Sequence, residues 1–77
     1  MQIIECVPNF SEGVDMEIIN QIADAVRLVD GVKLLNVDPG KDTNRTVITF
    51  AGEPRQVIQA AFLAIKKAGD LIDMSKQ

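Results

Sequence analysis

A chain of 77 residues, 47% hydrophobic and 25% charged, fits one small globular domain and argues against disorder. Its net charge of −3 argues against a phosphate-backbone binder, which needs a basic face, and three phenylalanines are too few for a base-stacking platform. The absence of histidine removes the usual general base, the commonest metal ligand and every serine–histidine pair.

Taken in chain order, Ile3 to Val7 read as an apolar strand that ends at the turn Pro8-Asn-Phe-Ser-Glu-Gly13. Cys6 lies in this strand as a small hydrophobe; a single cysteine fits a reducing compartment, and a cytoplasmic protein is expected. Asp15 is placed to cap a helix running to about Val29, with Ile18, Ile19, Ile22, Ala25, Val26 and Val29 on its apolar face. Asp30-Gly31 ends that helix. Val32 to Val37 form the second strand and Thr43 to Ala51 the third, joined as a hairpin by a loop from Asp38 to Asp42 that turns at Pro39-Gly40. In the third strand Thr46, Ile48 and Phe50 share one face, and Arg45, Val47 and Thr49 the other. Pro54 opens a second helix whose apolar stripe is read as Val57, Ile58, Ala61, Phe62, Ile65, Ala68 and Ile72.

The order β-α-β-β-α is an α/β (α+β) arrangement, a split ferredoxin-like sandwich lacking its last strand, with both helices on one sheet face. The right-handed crossover rule puts the third strand between the first and second. Residues 1–77 are thus expected to form a single domain, incomplete at its C-terminal end. The first and second strands then end on the same side. Asn9, Ser11 and Glu12 after one, and Asp38, Asp42, Asn44 and Arg45 around the other, converge on one polar mouth suited to a small polar molecule. The same residue types also cap turns, so spacing alone does not separate binding from structure. Neither a phosphate-cradling glycine loop nor a metal-ligand cluster is present, and no apolar stretch approaches the ~20 residues of a membrane span.

Three blocks carry more: ECVPNFSEG (Glu5–Gly13), LLNVDPGKDTNRTVITFAG (Leu34–Gly52) and LIDMSK (Leu71–Lys76). With them, the chain resembles the N-terminal subdomain of the glutamate formiminotransferase family, which also occurs fused to a cyclodeaminase. The resemblance implies a transferase of histidine degradation that moves a formimino group from N-formiminoglutamate to the co-substrate tetrahydrofolate, without a metal. It places the family's catalytic histidine beyond Gln77, so this chain would hold no catalytic base and would need the remainder of the formiminotransferase domain as its partner. Asn9, Asp38 and Arg45 become the candidate substrate-binding residues, with Asp38 orienting that imidazole or the substrate. A homo-oligomer is implied as well. The competing expectation is a non-catalytic ligand-binding or assembly module on the same scaffold.

Overall fold

The computed structural model describes residues 2–11, 15–40 and 42–71. Two helices lie on one face of an antiparallel sheet: β1 (Ile4–Cys6), β2 (Asn9–Phe10), α1 (Met16–Arg27), β3 (Val32–Gly40), β4 (Arg45–Gly52) and α2 (Pro54–Leu71). This is the ferredoxin-like α+β arrangement. β4 is central, with β3 on one edge and both β1 and β2 on the other. The expected order is therefore observed.

β1 and β2 are one interrupted strand. Cys6 opposes Phe50 and Asn9 opposes Val47, a single unbroken register along β4. The sequence reading ended pairing at Pro8, and that is corrected here. The Pro8 carbonyl still accepts from the Ile48 N–H at 3.1 Å. Proline lacks only the reciprocal donor, so the ladder misses a bond and resumes.

Helix α1 forms where its pattern predicts. The Asp15 carboxylate accepts from the backbone N–H groups of Glu17 (3.0 Å) and Ile18 (3.4 Å), satisfying two of the orphan donors of the first turn. Ile18, Ile19, Ile22, Ala25 and Val26 are buried, as is Val29 just beyond the helix. Gly31 adopts φ +87°, and the Val32 N–H reaches back to the Val29 carbonyl at 3.3 Å, turning the chain directly into β3.

The hairpin turn lies further along than the sequence suggested. Pro39 and Gly40 are paired within β3, opposite Thr46 and Arg45, and the turn falls after them, with Asn44 at φ 53°. Pro39 is tolerated because β3 is an edge strand, where one backbone donor faces away from the ladder. Asparagine is among the few non-glycine residues that adopt positive φ readily, so Asn44 takes the strained position. The register also shifts between Leu34 and Asn36, a bulge that restores the facing of the residues beyond Leu35.

The core is built from Thr46, Ile48 and Phe50 of β4, the apolar side of α1, and Val57, Ala60, Ala64 and Ala68 of α2. Half of the expected α2 stripe is wrong: Ile58, Phe62 and Ile65 are exposed. The helix instead packs through its alanines, whose small side chains let its backbone approach the sheet and α1. Ile72, Glu12 and Gly13, and the Asp73-Met74-Ser75 segment lie outside the described residues.

One glycine is fixed by close approach. Gly52 pairs with both Ile4 and Val32, and a Cβ there would stand 2.5 Å from the Gly31 carbonyl oxygen. Because that neighbour is backbone, Gly52→Ala should cost about 2–3 kcal/mol. Thermal unfolding should report a Tm lower by at least ~8 °C; an unchanged Tm would show that the β3–β4 junction yields without cost.

Candidate functional site

Directly opposed residues of antiparallel strands share a sheet face. Asn9 and Asp38 both oppose Val47, one from each edge of β4. All three therefore project from the same row of the sheet, on the face turned away from the helices. Arg45 lies two residues before Val47, on that same face and opposite Gly40. With strands about 4.8 Å apart, the Asn9 and Asp38 backbones stand roughly 10 Å from each other across β4.

These residues enclose an open concavity of ≈ 530 Å³ lined by Asn9, Asp38, Gly40, Thr43, Arg45 and Val47. Its wall offers an amide, a carboxylate, a guanidinium fork and a hydroxyl around one aliphatic floor residue. By type, a guanidinium fork can take a carboxylate bidentately, carboxylate oxygens accept N–H groups, and an amide does either. Among the described residues neither the Asp38 carboxylate nor the Arg45 guanidinium enters a salt bridge; the pair that forms, Arg27 with Asp24, is exposed on α1. Asp38 and Arg45 therefore do not pair with each other.

Of the seven polar residues expected at this mouth, Asn9, Asp38 and Arg45 line it. Ser11 is exposed beyond β2, Asp42 and Asn44 belong to the turn, and Glu12 lies outside the described residues. Thr43 was missed. Its hydroxyl donates to the Gly40 carbonyl at 3.4 Å, bringing the turn back over the end of β3 and placing Thr43 in the wall. The signal for it was local: a hydroxyl three residues after Gly40 is spaced to close a turn.

A ferredoxin-like sheet with two helices on one face and a polar cavity on the other defines an α+β domain. Residues 3–77 match the formiminotransferase domain, N-terminal subdomain, and the chain belongs to that family. It is 55% identical over 75 residues to the formimidoyltransferase-cyclodeaminase of Dictyostelium discoideum, and 52% identical over 75 residues to that of Mus musculus. Both alignments cover 97% of this chain and 14% of the relative. The glutamate formimidoyltransferase of Thermoplasma acidophilum is 49% identical over 74 residues, covering 96% of this chain and 24% of the relative. The chain thus spans a quarter or less of the length of these curated relatives.

Proposed function

We propose that this chain supplies the substrate-binding sheet face of a formiminotransferase, whose remaining domain supplies the proton-transferring base. The reaction moves the formimino group of N-formiminoglutamate to tetrahydrofolate and releases glutamate, a step of histidine degradation in the cytoplasm. What supports the reading is the placement of Asn9, Asp38 and Arg45 on one open cavity in a chain of this family. Folate enters as the nucleophile: its N5 bonds to the formimino carbon, the carbon–nitrogen bond to glutamate breaks, and a proton passes from the first nitrogen to the departing one.

The residues present fit a share of that task. N-formiminoglutamate carries two carboxylates and an amidine-like N–H group. The Arg45 fork holds a carboxylate, and Asn9 donates to or accepts from the polar backbone of the substrate. Asp38 is a positioning residue: its carboxylate accepts the N–H of the imidazole brought by the remaining domain and steadies that ring when it is protonated. Histidine is absent from the sequence and Cys6 lies on the helix-facing side, packed against the core, so the reading assigns the proton-transferring base to the remaining domain.

The test is formimino transfer assayed with this chain alone and with the remainder of the domain added in trans. Turnover in the mixture only is the expected result, and turnover by the chain alone would overturn the division of labour. In the active mixture Arg45→Ala should raise KM for N-formiminoglutamate by roughly 10-fold or more with a smaller change in kcat, as loss of a charge-assisted pair predicts. An unchanged KM would remove Arg45 from substrate binding.

A further inference from the structure

Glycine stands at position 40 for space rather than for its dihedrals: among the described residues the glycine with positive φ is Gly31. Gly40 directly opposes Arg45 across the β3–β4 ladder. A Cβ on residue 40 would therefore project on the uncovered face beside the Arg45 side chain, the two Cβ atoms about 4.5–5.5 Å apart. The Thr43 hydroxyl already fills that place, because an added Cβ would stand 3.0 Å from Thr43 Oγ1. The hairpin thus replaces the side chain of residue 40 with a hydroxyl carried in from the turn.

That hydroxyl is weakly held. It donates to the Gly40 carbonyl at 3.4 Å, where an O–H···O bond prefers about 2.7–2.8 Å. A carboxylate is a stronger acceptor than a carbonyl, and the Arg45 guanidinium that attracts one lines the same cavity. Rotation of the hydroxyl turns its proton from the Gly40 carbonyl to such a carboxylate. The cavity is also polarised along the strand. Thr43 and Arg45 put donors at the level of Gly40, whereas the Asp38 carboxylate lies two residues back, roughly 7 Å along β3. A ligand with a carboxylate at one end and an N–H group at the other is oriented by that separation.

Resting on the formiminotransferase reading, we propose that Thr43 is a specificity-determining residue for the formimino donor. Its hydroxyl is the second donor, beside Arg45, to the side-chain carboxylate of N-formiminoglutamate. The methylene chain of glutamate holds this carboxylate away from the amidine nitrogen, as the separation of Thr43 from Asp38 requires; the α-carboxylate sits beside that nitrogen.

Transfer by the domain assembled from this chain and its remainder gives KM for N-formiminoglutamate, and competition by its two mono-amides gives their inhibition constants. Thr43→Val, which keeps the shape, should raise KM about 10-fold with little change in kcat. Thr43→Ser should keep KM near the wild-type value. For the mono-amide at the side-chain carboxylate the loss caused by Thr43→Val should shrink to roughly 2-fold or less, while for the α-amide it should persist in full. With wild type saturating normally, an unchanged KM in Thr43→Val, or a Thr43→Ser that behaves like it, would overturn this role alone. Equal losses against both mono-amides would do so too, as the mark of a turn that has merely lost its closing bond. An assembled wild type that neither binds N-formiminoglutamate nor transfers from it would overturn the formiminotransferase reading and the role of Thr43 with it.

Discussion

Phe50→Ala should remove a large share of the folding stability of this chain. Phe50 is fully buried at the centre of the sheet, between β1 and β3 and beneath both helices. Truncating such a residue removes its transfer free energy and leaves a cavity that the surrounding backbone cannot close, at a cost of about 3–5 kcal/mol. A domain of this size is stabilised by roughly 4–12 kcal/mol, so the substitution removes about a quarter of that or more. At about 4–8 °C per kcal/mol, Tm should fall by at least ~12 °C in a thermal melt followed by circular dichroism. Phe62→Ala is the matched control, because Phe62 is 65% exposed. At dilute concentration it should move Tm by only a few degrees, about what a surface substitution costs. Equal losses from the two substitutions would contradict the assignment of the core.

Asp38→Asn, in the domain assembled from this chain and its remainder, should lower kcat at least ~10-fold while leaving Tm unchanged. Asparagine keeps the size and a hydrogen-bonding oxygen but removes the negative charge. Asp38 is exposed near the end of β3 and enters no salt bridge among the described residues, so the expected effect on Tm is small. On the proposed reading, what is lost is the Coulomb attraction that orients and steadies a protonated imidazole during transfer. The effect belongs in kcat rather than KM, since the positive charge on the ring develops as the proton moves. Full turnover in Asp38→Asn at saturating substrate would remove Asp38 from proton handling.

Much of this arrangement was legible in the residues, because several local signals agreed. Asp15, the three- and four-residue spacing through Val29, and Asp30-Gly31 gave the first helix its start, face and end. The alternation of Thr46, Ile48 and Phe50 against Arg45, Val47 and Thr49 told the two faces of β4 apart. With a right-handed crossover, that alternation also put the ends of the outer strands on the same side, which is why Asn9, Asp38 and Arg45 could be named together.

The misses have physical causes. In α2 both faces are apolar, and the larger residues Ile58, Phe62 and Ile65 drew the stripe toward themselves. Burial instead followed close packing, which favoured Ala60, Ala64 and Ala68. Pro39-Gly40 reads as a turn, yet an edge strand accommodates both residues, so the reversal moved to Asn44 and carried Thr43 into the cavity wall. The common row of Asn9 and Asp38 depends on the bulge between Leu34 and Asn36. A slip of a single residue would have put Asp38 on the helix side, and strand propensity carries no information about such a slip.

The central claim is that the open face of this sheet holds the glutamate end of the substrate, and amide chemical-shift mapping tests it most directly. The chain would be isotopically labelled, assembled with its unlabelled remainder and titrated with N-formiminoglutamate. Shifts concentrated at Asn9, at Asp38 to Gly40, and at Thr43 to Val47 are the predicted result. Saturable binding that leaves those amides unmoved, or moves only those of α1 and α2, would contradict it.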